Sequence, residues 1–428
     1  MLPTQQILII EVAMLFFEDI LKTTLLVCNI LLSAYSLYNI GIALFSLRKS
    51  RRLEISEPRH RFAYLVAARN EEAVIGHLVE SLRQQNYPAE LFDVIVVPNN
   101  CADRTRFVAE QAGARITLCN TPVRSKGDVL NFAFPELSKP DYHYDALCVV
   151  DADNLVHPDF LSAMNQALLN GSKIAQGYRD SKNPVDTGIS GSYSIYFWLI
   201  SRFMSGARHK AGLSAAIGGS GFMISTSLIR ELGNFKFVTM TEDMELNVFC
   251  YLAGTRVDFV PGAIVYDEQP LTFFQSWKQR QRWSGGMYQI SELYSLPVSK
   301  KLYRNRMLHG LDLVSLFRSV HMHVLWFASI IVTFILKLID ILEKQAPPAE
   351  LWGLLFTSFI TSWLMMTGAA ALIVVLEKKL QPGIWRGILT FWFFIMSWLP
   401  INIISLFRKP KEWEQIRHER SIRIQDVT

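Results

Sequence analysis

The chain has no cysteine framework. Five cysteines, Cys28, Cys101, Cys119, Cys148 and Cys250, are scattered over 428 residues with no C-x-x-C pair. This spacing speaks against a disulfide scaffold or a zinc site and fits a domain kept reduced in the cytosol. A strong charge of either sign is also missing. The formal net charge is +5 and the pI is about 8.8, too mild to point to a nucleic-acid partner. No basic region precedes the first apolar run, which argues against a cleaved signal peptide. No internal repeat or low-complexity tract is visible.

Apolar residues are what the chain has in excess. Half of it is hydrophobic, and the mean hydropathy of +0.20 is high for a wholly soluble protein. The excess sits at the two ends. Residues 1–22 are apolar but carry Glu11, Glu18 and Asp19, so they read as an interfacial helix in preference to a membrane-spanning one. Residues 23–47 hold no charge and are long enough to cross a bilayer. A basic linker, 48–61, follows with Arg48, Lys49, Arg51 and Arg52, which places the end of that span at the cytosolic face. Residues 271–322 mix aromatics with cations, as interfacial helices do. Residues 323–407 contain three apolar stretches, His323–Leu342, Leu351–Leu376 and Gly383–Phe407, and a basic tail fills 408–428.

The topology carries a conflict. Three C-terminal crossings put the tail opposite a cytosolic middle domain, whereas Arg408, Lys409 and Lys411 favour the cytosolic side. A re-entrant stretch or a further crossing in Met307–Met322 would each resolve it. Asn29, Asn39, Arg318, His321 and His323 lie near these segments, either lining a path for a polar substrate or bonding between helices.

Residues 62–270 have the pattern of an α/β domain. Phe62–Ala68, Asp93–Val97, Ala114–Leu118 and Ala146–Val150 read as strands, most of them suited to burial on both faces. Val74, Ile75, Leu78, Val79 and Leu82 recur at helical spacing, with Glu71 and Glu72 expected in that helix's first turn. A second helix follows Asp103 and stops at Gly113; a third runs from Pro158 to Gly171. The expectation is a mostly parallel sheet covered by helices, with ligands at the carboxyl ends of its strands.

Three motifs carry chemistry. In Val149-Val150-Asp151-Ala152-Asp153-Asn154, an apolar strand runs into two carboxylates one residue apart. Such a pair can hold a hard divalent cation against a diphosphate, or it can be a solvated acidic turn. In Thr241-Glu242-Asp243, Thr241 is placed to cap a helix, and a carboxylate can accept a proton from an attacking hydroxyl. Acids at a helix start also suit the dipole without any chemistry. In Gln279-Arg280-Gln281-Arg282-Trp283, a helix would bring Gln279, Arg282 and Trp283 to one face, ready for phosphate oxygens and a sugar ring, or for the membrane interface. Smaller pieces accompany them: Ala67-Ala68-Arg69-Asn70-Glu71, Asn99, Asp103, Lys126, and Gly218-Gly219-Ser220-Gly221.

In this order the motifs resemble the processive family-2 glycosyltransferases: cellulose, chitin and hyaluronan synthases and bacterial exopolysaccharide synthases. The resemblance covers about Phe62 to Met287. It implies a GT-A-type nucleotide-sugar-binding domain with N- and C-terminal transmembrane helices, in a bacterial inner or plasma membrane with the catalytic domain cytosolic. It implies Asp151 and Asp153 as the carboxylates for Mg²⁺ or Mn²⁺, and Asp243 as catalytic base. Ala68, Arg69, Glu71, Asn99, Asp103, Lys126, Gln279 and Arg282 would join the two aspartates at a UDP-sugar donor. Gly219, Ser220, Gly221, Glu242, Asp243 and Trp283 would meet the acceptor, a growing glycan or a lipid. The chain departs from the family at Asn99, where an acidic residue is frequent, and at Ala67-Ala68, where Pro-Thr is common. Asn99 can still accept a hydrogen bond from a uracil N–H through its amide oxygen. The implied reaction is inverting β-linked polymer synthesis coupled to export. Lipid glycosylation, as in the ceramide glucosyltransferases, is the alternative. An inactive glycan-binding or export protein and a plain transporter are the remaining readings.

Overall fold

A computed structural model describes residues 2–49, 57–233, 236–302, 307–344, 347, 349–408 and 420–427, with side chains from residue 13 onward. Among the described residues, eight strands form one sheet: β1 (Phe62–Ala68), β2 (Phe92–Pro98), β3 (Arg115–Ile116), β4 (Ala146–Val149), β5 (Leu155–Val156), β6 (Ile174–Ser181), β7 (Phe222–Ser225) and β8 (Asp258–Asp267). Their order is β3-β2-β1-β4-β7-β6-β8-β5. Pairings β1–β2, β1–β4, β2–β3 and β6–β8 are parallel, and β4–β7, β6–β7 and β5–β8 antiparallel. The mostly parallel α/β sheet is as expected, and the antiparallel β7 joins its two halves.

Alternation along β1 divides the core. Phe62, Tyr64, Val66 and Ala68 pack on one face with Ile75, Leu78 and Leu82. Ala63 and Leu65 pack on the other with Val129, Phe134 and Leu246. A strand with both faces covered carries apolar residues at every position, which explains the unbroken run.

Two local expectations need correcting. Glu71 and Glu72 are not in the first turn of their helix, which spans Ile75–Arg83. They form a preceding turn, where Glu71 N–H donates to Thr105 Oγ1 at 2.7 Å, Glu72 N–H to Asp103 Oδ2 at 3.1 Å, and Glu72 accepts from Arg104 N–H at 3.0 Å. These side-chain partners compete with helix formation. Thr241 makes no capping hydrogen bond to the helix Glu242–Ala253.

At the N-terminus one uninterrupted helix, Leu2–Leu44, runs through residue 22. Among the described residues, four helical segments are long and apolar enough to cross a membrane: Ala13–Leu47, Ser319–Glu343, Ala349–Leu376 and Trp385–Phe407. The last is broken at Ser397 into Trp385–Met396 and Trp398–Phe407. There the buried Arg280 donates to Phe394 O at 2.8 Å and Ser397 Oγ at 2.7 Å, giving a partner to a carbonyl that the break frees. Gly191, on the helix Gly188–Leu199, lies against Gly387: a Cβ on Gly191 would sit 2.7 Å from Gly387 Cα. Only glycines permit backbones this close.

Candidate active site

A cavity of about 470 Å³ opens where β1, β2, β4, β6 and β8 end and reaches to the long apolar helices. Of the residues singled out above, it is lined by Arg69, Glu71, Asn99, Lys126, Asp151, Asp153, Gly219, Glu242, Asp243, Gln279, Arg282 and Trp283. All three motifs therefore converge, although 128 residues of chain separate Asp151 from Gln279.

Four predicted residues do not line it. Asp103 accepts from Glu72 N–H at 3.1 Å, Thr105 N–H at 3.0 Å and Thr105 Oγ1 at 2.5 Å. Its carboxylate holds a loop. Ala68 is buried, and its carbonyl accepts from Asn99 N–H at 2.9 Å and Asn99 Nδ2 at 3.1 Å. This orients the Asn99 amide, whose Oδ1 has no hydrogen-bond partner among the described residues. Ser220 is buried behind Asp151; its Oγ accepts from Asp151 N–H at 3.0 Å and donates to Asn154 Oδ1. Gly221 N–H donates to Val149 O at 2.9 Å. Its φ of +66° and the nearby Val265, 2.6 Å from a built Cβ, explain the glycine. Ser220 and Gly221 shape the loop that presents Gly219 to the cavity.

Lys126 stands in the first turn of the helix Lys126–Leu137, which Ser125 and Asp128 close with a capping box. Its ammonium donates to Asp151 Oδ1 and, at 2.6 Å, to Gly219 O. Burial alone would lower the Lys126 pKa, but the charges of Asp151, Glu242 and Asp243 outweigh it and raise it. Burial likewise opposes ionisation of Asp151, and Lys126, Arg179 and Arg282 overcome it, lowering the pKa. Asp243 is different. Burial dominates and raises its pKa, despite a hydrogen bond from Met244 N–H at 2.7 Å and the charges of Lys126 and Arg179. Burial raises Glu242 from 4.5 to about 7, with Lys126 opposing and Asp243 adding to the shift. For Glu242 the folded pKa is above the unfolded one. Its contribution to stability is thus complete below pH 4.5 and is lost as pH rises through about 7.

Methionine at position 126 removes a positive charge that lowers both pKa values. If Asp243 must be ionised, the acid limb of the rate–pH profile of Lys126→Met lies at higher pH than in the unaltered chain, and an unmoved limb would exclude this coupling.

The motif on the helix Phe273–Leu302 is set by its packing. Gln279 Oε1 and Arg282 Nε are buried with no hydrogen-bond partner among the described residues. Buried groups of this kind call for a ligand or water. Trp283 stacks on Trp398 with centroids 6.3 Å apart and meets Tyr193 and Phe197 edge-on. Gly286 lets this helix lie against Thr241; a Cβ there would be 2.7 Å from Thr241 Oγ1. Gly286→Val should destabilise the protein by about 1–3 kcal/mol through overpacking, read as a lowered unfolding temperature together with lost activity.

The sequence reading missed the Arg179–Asp267 pair. Arg179 Nε and Nη2 each lie 2.7 Å from Asp267 Oδ2, and Nη1 donates to Gly218 O. Burial lifts Asp267 to about 6 against the pull of Arg179. The signal available was a charge at the end of each strand, β6 and β8, but the two lie 88 residues apart. Also missed were Ile200 and Met204 of a π-helical segment, Ile200–Gly206, on the cavity wall.

The polar residues near the membrane segments divide. His323 lines the cavity. Asn29 accepts from Ser329 at 3.0 Å, Asn39 accepts from Arg208 at 3.1 Å, and Arg318 donates to Ser295 at 3.0 Å. His321 meets Tyr288 edge-on, with centroids 5.0 Å apart.

A nucleotide-sugar-binding type of sheet, a cavity at its strand ends and three converging acidic and cationic motifs define a glycosyltransferase. The chain belongs to glycosyltransferase-like family 2, whose model matches residues 58–286. A probable glycosyltransferase of Bacillus subtilis (strain 168), YdaM, is 27% identical over 361 residues, 81% of this chain and 82% of that protein. The beta-monoglucosyldiacylglycerol synthase of Synechocystis sp. is 24% identical over 246 residues, 54% of this chain and 49% of that one. The poly-beta-1,6-N-acetyl-D-glucosamine synthase of Staphylococcus aureus (strain COL) is 22% identical over 250 residues, 58% and 59% of the two chains. The chain thus spans about half and about three-fifths of the length of these last two relatives. Among solved structures, mannosyltransferase PcManGT from Pyrobaculum calidifontis, in complex with GDP-Man and Mn²⁺, shares the fold. Its TM-score is 0.57 at 17% identity, with 90% of this chain and 99% of that one covered.

Proposed function

We propose that the chain transfers a sugar from a UDP-sugar to the end of a growing β-linked polysaccharide at the cytosolic face of a membrane, with inversion, and moves the product outward between its own helices. The observation that carries this reading is one cavity with carboxylates at the sheet and membrane helices at its far end.

Asp243 takes the proton of an acceptor hydroxyl. That oxygen attacks the anomeric carbon from the face opposite the diphosphate, and one displacement turns an α-linked donor into a β-linkage. Lys126, Arg179 and Arg282 supply positive charge near Asp151, where the departing diphosphate gathers negative charge. Gln279 and Arg282 offer unpaired buried polar atoms to it. Trp283 and Trp398, stacked at the cavity wall, suit a sugar ring. Oriented binding of both substrates supplies much of the remaining acceleration.

The donor set fits a hard cation. Among the described residues no group of three or more Asp, Glu, His or Cys side chains could hold a metal. Asp151 and Asp153 suffice for Mg²⁺ or Mn²⁺, which commonly binds through one or two carboxylates and takes its other ligands from phosphate and water. When bound, the ion would neutralise charge on the diphosphate.

One observation favours a second reading, transfer to a membrane lipid. The far end of the cavity is apolar, with Ile200, Met204, Met287, Leu316, Val320 and Ile395. Membranes containing the protein, incubated with radiolabelled nucleotide sugars and Mn²⁺, decide between them. A ladder or high polymer supports the first reading, a single lipid-extractable sugar the second. No transfer from any donor rejects both.

A further inference from the structure

The segment Arg420–Val427 returns to the catalytic domain. Arg420 Nε donates to Asp186 Oδ2 at 2.7 Å. Its backbone N–H donates to Glu268 Oε1 at 3.2 Å, and its carbonyl accepts from Lys182 Nζ at 3.4 Å. Lys182 pairs with Glu268 at 3.1 Å, with both side chains buried. Ser421 Oγ lies 2.7 Å from His77 Nε2, and Ile424 is buried against Leu155 and Tyr266. The segment therefore grips β5, the end of β8 and the helix Ile75–Arg83. Glu268 lines the cavity and directly follows Asp267, the partner of Arg179.

We infer that this segment is a strap that positions the β8 wall of the cavity from the catalytic domain's own side of the membrane. The inference rests on the proposed sugar transfer in that cavity. Its topological half follows from where the membrane helices are anchored. Ser319–Glu343 starts at the cavity, where Ser319 and Val320 line it. Ala349–Leu376 ends back at the domain, where Tyr178 donates to Glu377 Oε2 at 2.6 Å and Lys379 donates to Asp180 Oδ2 at 2.5 Å. These two helices are a hairpin that leaves and returns.

The broken helix starts at the domain, with Gly387 on Gly191, and its second half stays on the helix Phe273–Leu302. Ser284 donates to Asn402 Oδ1 at 2.6 Å, and Tyr288 to Asn402 O at 3.1 Å. Were Trp385–Phe407 a full crossing, residues 409–419 would have to recross to reach Asp186. They carry six charges, and charged side chains are strongly disfavoured at the centre of a bilayer. The broken helix is therefore re-entrant. That settles the conflict between three apolar stretches and a basic tail in favour of the same side.

The test uses the full chain in membrane vesicles. Arg420→Asp should raise the KM for the nucleotide sugar about tenfold, as loss of a charge-assisted hydrogen bond would, with a smaller change in kcat. The swapped pair Arg420→Asp with Asp186→Arg should recover most of it. A role confined to folding would reduce the amount of active protein and leave KM alone. A protease site appended after Thr428 should be cut only in vesicles whose catalytic domain faces the protease. Unchanged KM in Arg420→Asp, failure of the swap to rescue, or cleavage from the opposite face would overturn the inference. If the unaltered chain transfers no sugar, the functional reading fails instead, and the cleavage result still decides the side of the strap.

Discussion

Asn at position 243 should lower sugar transfer by about 10²–10⁴-fold, the range a positioned general base supplies, while nucleotide-sugar affinity changes by no more than about threefold, or ~0.65 kcal/mol. Asparagine has the shape of aspartate but no basic oxygen, so it separates proton removal from space filling. The surroundings suit the assignment. Burial raises the Asp243 pKa toward a useful basicity, Met244 N–H fixes one carboxylate oxygen at 2.7 Å, and Gly219 leaves room beside the other. Glu242→Gln should cost less, because Glu242, raised to about 7, is already about half protonated at neutral pH. Initial rates alongside equilibrium donor binding test this. Full activity in Asp243→Asn would move the base elsewhere.

The second large effect is on stability. Asp312→Ala should destabilise the protein by about 3–5 kcal/mol, because it strands a buried arginine. Both Asp312 oxygens lie 3.1 Å from Arg208 Nε, and Tyr38 donates to Oδ1 at 2.8 Å. Arg208 also donates to Asn39 at 3.1 Å, and both members of the pair are buried. This network ties the N-terminal helix to the helices Ala207–Lys210 and Met307–Phe317. The double change Arg208→Met with Asp312→Leu should recover most of the loss, since apolar replacements of a whole buried pair are often tolerated. Thermal unfolding in detergent reads both variants. A shift equivalent to less than about 1 kcal/mol in Asp312→Ala would mean the pair behaves like an exposed one.

The half of the fold built on β1, β2 and β4 was legible, because burial on both faces leaves continuous apolar runs such as Phe62–Ala68. The antiparallel half was not. β6 carries Gly177, Arg179 and Asp180 among its apolar residues, β7 has only four residues, and Pro261 and Gly262 interrupt β8. None of these shows a period-two pattern. The site was legible where short motifs concentrate polar residues at strand ends, as with Asp151 and Asp153. It was illegible where chemistry is split between distant strands, as with Arg179 and Asp267. Asp103 and Ser220 mark the opposite failure: polar residues beside the site whose side chains are engaged in holding loops.

The anomeric configuration of the new linkage, read by NMR on product made from an α-linked donor, tests the single-displacement account most directly. A β-linked product from the first turnover is the expected result. Retention of the α-configuration would require a covalent or front-face route and would contradict the role given to Asp243.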